Sequence, residues 1–267
     1  MYSFLNNSVF FWSLFICFNS VLTSCDRLYS NNLSGENYSG ISRDLATEDK
    51  IAVYADSINA VLPFCEETKS MVYTLGDYSF QVSRFKHHDK IVLYIEQGNN
   101  GEYRSVEKRY YIEDNMPALL VERSVDSRKS LRYSNTYFKQ GKVFIAEQKS
   151  GSAKEMNIQN AGFKEASLEA VDHYQELETY EDALNQRRKF DLVFEEIAEC
   201  PKAKYLILSR KEINSYRAPV KVEVEDEFIR ELYSNPLRYR GEKLDISWKI
   251  NSNNETVYLQ GRLKTRD

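Results

Sequence analysis

The chain predicts an α+β fold, with an antiparallel β-meander in its first half and a long helix plus a small mixed α/β region in its second. Three observations carry this expectation. Between Met71 and Gln148 apolar residues recur at alternate positions, as Tyr78, Phe80 and Val82 do against Ser79, Gln81 and Ser83. That is the period of a half-buried strand. Turn-forming residues punctuate the stretch at Gly76-Asp77, His88-Asp89, Gly98 to Gly101, Asp114-Asn115, Asp126-Ser127 and Gln140-Gly141. No helix-length segment intervenes, so hairpins are expected instead of parallel crossovers. Beyond Ser150-Gly151-Ser152 the spacing changes to threes and fours, in Leu168, Val171, Tyr174, Leu177, Tyr180 and Leu184, which is the apolar stripe of a helix.

Each element follows in order. Glu48 and Asp49 suit the first turn of a helix from Thr47 to Leu62, whose stripe is Ile51, Tyr54, Ile58, Val61 and Leu62; Pro63 stops it. The meander occupies the next eighty or so residues, in which no internal repeat is visible. Ser167 is placed to cap the long helix. Phe190, Val193, Phe194 and Ile197 continue or restart it, and Cys200-Pro201 ends it. Tyr205 to Leu208 reads as a short buried strand. Val220, Val222 and Val224 alternate with Lys221, Glu223 and Glu225, giving a strand with one wet face. Glu227 to Tyr233 reads as a short helix closed by Asn235-Pro236, and Leu244–Ile250 with Thr256–Leu263 as a hairpin around Asn251 to Asn254.

The N-terminus speaks about destination. No charged residue precedes Asp26, and Val9 to Phe18 is almost continuously apolar. That run is short of the roughly 20 residues a membrane-spanning helix needs, and suits the core of a signal peptide. Leu22-Thr23-Ser24-Cys25 follows. A small residue before a cysteine, with an aliphatic residue three before it, resembles the lipobox of bacterial lipoproteins. The resemblance implies cleavage before Cys25, a diacylglyceryl group on its thiol, usually an acylated new N-terminus, and a folded part held on the envelope outside the cytoplasm. An ordinary secretory signal cut elsewhere and a short uncleaved anchor are the alternative readings, and all three export the bulk of the chain. The resulting organisation is a signal peptide over 1–24, a lipidated terminus and Ser/Asn/Gly-rich tether over 25–45, a helix plus antiparallel sheet over 46–150, and an α+β region over 151–267.

Chemistry is sparse. The net charge of −4 disfavours a nucleic-acid partner. No nucleophile elbow, phosphate-binding glycine loop, zinc-protease helix or Cys-x-x-Cys pair is present, so no catalytic residue, metal or cofactor is assigned. His87-His88-Asp89 reads as a solvated turn. Glu169, His173 and Glu176 share one face of the expected long helix, a geometry of ligand clusters but more often of surface pairs. The acidic run Glu223 to Glu227 reads as a strand edge leading into a helix start, and Arg187-Arg188-Lys189 as charge complementing a helix C-terminus. Cys65 and Cys200 remain once Cys17 is removed and Cys25 lipidated, a candidate disulfide for an exported protein.

These observations favour a membrane-anchored binding or scaffold protein whose partner is an envelope protein or glycan, met through a shallow aromatic patch. An envelope hydrolase using carboxylates and an immunity-type inhibitor are the alternatives. Because acylation requires the thiol, Cys25→Ser is expected to abolish metabolic fatty-acid labelling; equal labelling of wild type and variant would refute the lipobox reading.

Overall fold

The computed structural model describes residues 48–99, 103–152, 158, 161–167, 171–210, 212 and 214–264. The expected signal, Cys25 and the tether lie outside these residues. The first helix, α1 (Glu48–Val61), carries Glu48 and Asp49 in its first turn, and Pro63 falls in the single 3-10 turn that follows it. Two short strands, β1 (Glu66–Lys69) and β2 (Tyr73–Leu75), lead into the meander. The meander consists of β3 (Tyr78–His87), β4 (Lys90–Asn99), β5 (Tyr103–Glu113), β6 (Met116–Asp126), β7 (Ser130–Lys139) and β8 (Lys142–Ser152). Each strand pairs antiparallel with the next.

The turn residues read from the sequence do what their chemistry allows. His88-Asp89, Asp114-Asn115 and Gln140-Gly141 all adopt positive φ at both positions, and each closes a two-residue hairpin. This is the type I′ geometry whose twist matches that of paired strands. Directly after each turn the second strand carries one unpaired residue, namely Val92, Ala118 and Phe144. These bulges tighten the local twist.

Turn and bulge together recur every 26 residues, at 88, 114 and 140 and at 92, 118 and 144. The meander is therefore three copies of one hairpin unit, a repeat that the sequence conceals. Register needs the same turn and the same inward parity but not the same side chains. Phe85, Tyr111 and Tyr137 are equivalent and alike, whereas Arg84, Tyr110 and Thr136 are equivalent and unlike.

Alternation divides the sheet into two faces. Phe85, Leu93, Tyr111, Leu119 and Tyr137 project to one face, where Ile51, Ala55 and Ile58 of α1 complete a buried cluster. Tyr111 reinforces the docking by donating to Asn59 Oδ1 at 3.0 Å, and the Tyr54 hydroxyl donates to the Ile112 carbonyl. The other face is covered by α2 (His173–Leu184) and by the remaining elements of the chain. A two-residue strand, β9 (Lys164–Glu165), pairs against β8 before α2 begins.

The expected long helix is shorter than its apolar stripe. It ends at Leu184, and Val193–Cys200 form a strand, β10, instead of its continuation. Asn185 closes the helix, and Gln186 and Arg188 take positive φ, which an α-helix cannot continue through. Val193, Phe194 and Ile197 are then β-branched or aromatic residues suited to a pleated surface. Cys200-Pro201 is correspondingly the start of a tight return to β11 (Ala203–Ser209), not a helix terminus.

The rest of the second half follows the sequence closely. Its elements are β12 (Arg217–Val222), α3 (Glu227–Ser234), α4 (Pro236–Tyr239), β13 (Leu244–Ile250) and β14 (Thr256–Leu263). Asp226, from the acidic run, caps α3 by accepting from the Ile229 amide at 2.9 Å. Strand β12 joins the two halves. It pairs with β11 on one side, and on the other with β2 and, in parallel, with β14. Among the described residues this gives one 14-stranded mixed sheet, mostly antiparallel. The larger buried cluster draws on both halves, from Tyr73, Phe80 and Tyr110 to Phe194, Leu206, Val220, Ile229 and Tyr258.

The contrast between two α1 residues tests this packing. Ile51 is fully buried and Val53 is 60% exposed, so Ile51→Ala is expected to cost about 2–5 kcal/mol. Val53→Ala should stay within about 0.5 kcal/mol. Urea denaturation of both variants checks it.

Candidate functional site

The inner face of the meander is not uniformly apolar. Cross-strand register places Glu96, Lys108, Glu122, Ser134 and Gln148 in one row, each directly opposite the next. The neighbouring row holds Arg84, Tyr94, Tyr110, Leu120 and Thr136. These polar side chains meet α2, whose start is fixed by Asp172 accepting from the Gln175 amide at 3.0 Å. At this contact Lys108 donates to Glu176 Oε1 at 2.5 Å, and the Tyr110 hydroxyl lies 2.5 Å from Glu176 Oε2 and 2.7 Å from His173 Nδ1. One turn further on, Glu181 accepts from Arg84 Nη1 at 2.9 and 3.0 Å and from the Tyr94 hydroxyl at 2.7 Å. Buried Glu96 accepts from Tyr78.

Protonation in this network can be worked out. Burial opposes ionisation of Glu176, but the charge of Lys108 and the hydrogen bonds from Lys108 and Tyr110 outweigh it and hold the carboxyl below its ordinary 4.5. Burial, and then the Glu176 charge, push the Tyr110 hydroxyl well above the usual phenol range. Tyr110 therefore keeps its proton and gives it to Glu176, which can only accept. His173 Nδ1 must then carry a hydrogen and donate it to the Tyr110 oxygen. Burial lowers His173 from its ordinary 6.5, against the raising charges of Glu176 and Glu122. Burial thus favours the neutral ring, and among the described residues no donor reaches its Nε2.

His173 also lines a cleft of about 280 Å³ over β5–β8, roofed by Ala166, Ser167 and Val171. Its floor is the inner row continued, with Glu122, Arg132, Ser134, Thr136 and Gln148. Ser134 donates to Glu122 Oε2 at 3.1 Å, and Arg132 donates to the Gln148 side-chain oxygen at 2.8 Å. The cleft thus interleaves donors and acceptors, and Lys108 lies 4.0 Å from Glu122.

The residues singled out by sequence fare unevenly. His173 and Glu176 do act together, through Tyr110, while Glu169 lies outside the described residues. Among the described residues no group of three or more His, Cys, Asp or Glu side chains is placed to hold a metal ion. His87 and His88 meet at the hairpin end with their rings tilted at 56° and centroids 4.1 Å apart. Cys65 and Cys200, the candidate disulfide, are both free thiols in this structure. The Cys65 thiol turns to the Val61 carbonyl at the end of α1, at 3.5 Å, and packs with the α1 cluster, whereas Cys200 is exposed where β10 turns into β11.

The cleft is also polar where an aromatic patch was expected. The reason is that Tyr78, Tyr94 and Tyr110 direct their hydroxyls inward to buried carboxylates. Lys108, Tyr110, Glu122 and Ser134 escaped the sequence reading. Their signal was parity: charged residues stand at positions that share the inward register with Tyr94 and Leu120. Comparison with family models, curated proteins and solved structures finds no match to the chain.

Two measurements test the network. Lys108→Met leaves the partly buried Glu176 without its cation and should cost about 1–3 kcal/mol. The pH dependence has a defined sign. His173 binds its proton more readily unfolded than folded, so its share of stability is complete above about pH 6.5 and declines as pH falls below that value. Glu176 and Glu181 are both lowered from 4.5, so their share is lost in a second decline below that pH. His173→Gln should remove the first decline in Tm and leave the second.

Proposed function

We propose that this chain is a bacterial envelope lipoprotein, anchored through Cys25, whose folded part binds a ligand at the cleft over β5–β8 and does not transform it. The carrying observation is the engagement of the groups around the cleft. Glu176 is held by Lys108 and Tyr110, the Ser134 hydroxyl donates to Glu122, and among the described residues no hydroxyl or thiol donates to His173. An activated nucleophile needs a base that accepts its proton, and that pairing is missing from the described residues. Short polar side chains, with Glu122 and Arg132 offsetting each other in charge, suit an uncharged, hydroxyl-rich ligand such as a segment of envelope glycan. Among the described residues no helix is long and apolar enough to cross a membrane, so attachment in this reading falls to the acylated N-terminus, where two or more chains anchor stably.

A second reading has its own observation. Among the described residues nothing donates to His173 Nε2, and His173 lines the same cleft as the Glu122 carboxylate, the two groups a hydrolase would use as base and acid. One experiment separates the two. Purified residues 26–267 are titrated calorimetrically with envelope glycan fragments and incubated with the same fragments for product analysis. Binding that weakens at least tenfold in Ser134→Ala or Arg132→Gln, with no product, is expected. Turnover abolished by His173→Gln would replace the binding reading with the hydrolase.

A further inference from the structure

We propose that a second groove, at the junction of β2, β10, β11 and β12, is an anion site that takes a phosphate-bearing ligand. The groove is wide, about 870 Å³, and three arginines from separate parts of the chain line it: Arg210 just after β11, Arg217 at the start of β12, and Arg240 just after α4. Each guanidinium is held by one edge. Arg210 donates to the Arg188 carbonyl at 3.0 Å and to Glu212 at 2.9 Å. Arg217 donates to Glu195 Oε1 at 3.1 Å, and Arg240 Nε to the Glu195 main-chain oxygen at 3.1 Å. Anchoring one edge orients the fork and leaves its other N–H groups for a ligand, the arrangement by which arginine recognises tetrahedral oxyanions.

Charge supports the assignment. Glu195 and Glu212 are the carboxylates lining the groove, against three guanidinium groups. Glu195 brackets Arg217 and Arg240, and Arg240 has no carboxylate partner among the described residues. The basic run Arg187-Arg188-Lys189 adds to this end of the molecule. Arg187 and Arg188 are matched by Asp182 and Glu178 of α2, but among the described residues Lys189 has no carboxylate partner. Its ammonium sits over the rings of Phe190 and Tyr216, 5.6 and 5.4 Å from their centroids, beside Ser215 and Arg217. A local cationic surplus therefore stands on a chain whose net charge is −4. The floor is accessible as well. Gly76 adopts φ +62° and nothing lies within 4 Å of where a Cβ would stand, so backbone is exposed to an incoming group. Phosphate fits better than carboxylate because its higher negative charge and additional oxygens suit several guanidinium groups.

The ligand could be a free phosphate-bearing molecule or a phospholipid headgroup, and the test has an arm for each. Cys25→Ser protein, which cannot be acylated at that position, is titrated with inorganic phosphate at constant ionic strength. It is also sedimented with vesicles of phosphatidylglycerol in phosphatidylcholine, and with phosphatidylcholine alone. Saturable phosphate binding, weakened by added salt and at least tenfold weaker in R217Q/R240Q, is the result expected for a free ligand. Phosphatidylglycerol-dependent sedimentation lost in the same variant identifies the headgroup. Arg262→Gln, a surface arginine paired with Asp245, should change neither. Binding to neither probe, or binding undiminished in R217Q/R240Q, overturns the proposal. Amide shifts of the unsubstituted groove guard against misfolding of the variant: phosphate must move Ser209, Ser215, Arg217 and Gly241, and shifts confined elsewhere also overturn it.

Discussion

The ion pair between Lys108 and Glu176 is the contact on which the interior depends. Three carboxylates surround one ammonium: Glu96 and Glu122 flank Lys108 across the sheet, and Glu176 descends from α2. A buried carboxylate without a partner costs several kcal/mol. The chain meets that cost with one lysine and several tyrosine hydroxyls instead of an apolar contact. The consequence is positional. An apolar face would let α2 slide, whereas hydrogen bonds to Lys108, Tyr110, Arg84 and Tyr94 fix both its depth and its rotation. The helix then delivers His173 to the mouth of the cleft, and its last turn accepts from the Tyr73 hydroxyl through the Ala183 carbonyl. Phe190, which follows, packs against Tyr73 and Tyr216 in the core.

The hairpin repeat makes this possible. A two-residue turn of one type, followed by one bulge, returns each strand in the same register, so side chains 26 residues apart fall at equivalent places. Rows of unrelated side chains are thereby carried across six strands. On one face the rows are apolar and receive α1; the inner rows lie on the other face. Towards β7 and β8 the inner rows become polar and form the floor of the cleft. One backbone unit thus supplies both a core and a site, and the difference lies in which residues occupy the inward positions.

The two charged surfaces are built differently. In the cleft, donors and acceptors alternate and neutralise one another, which favours recognition by hydrogen bonding. In the groove, arginines outnumber carboxylates and are clamped by backbone carbonyls and glutamates, which favours recognition by charge. His173 belongs to the first kind. Its tautomer is dictated by the single proton of Tyr110, so a specific lone pair is presented without any charge on the ring.

Much of the architecture is written in local pattern. Type I′ turns need residues that tolerate positive φ, and His88-Asp89, Asp114-Asn115 and Gln140-Gly141 advertise themselves as such. The same holds for the cap at Asp226, the stop at Pro63 and the hairpin around Asn251 to Asn254. These signals are local because the interactions behind them span only a few residues. The stripe from Leu168 to Ile197 misleads for the same reason: helical spacing does not reveal where a chain reverses, and the positive φ at Gln186 and Arg188 leaves no residue-level mark. The site was legible only in part. His173 and Glu176 stood out by helical spacing. Their partners Lys108 and Tyr110 lie more than sixty residues away, and pairing over such a distance is decided by strand register and helix docking. The sequence by itself determined the strand alternation and the turns. Only the tertiary structure decided that β12 would join the two halves, that Cys65 and Cys200 would stand apart, and which charged residues would face one another, because each depends on contacts that exist only once the sheet has closed over α2.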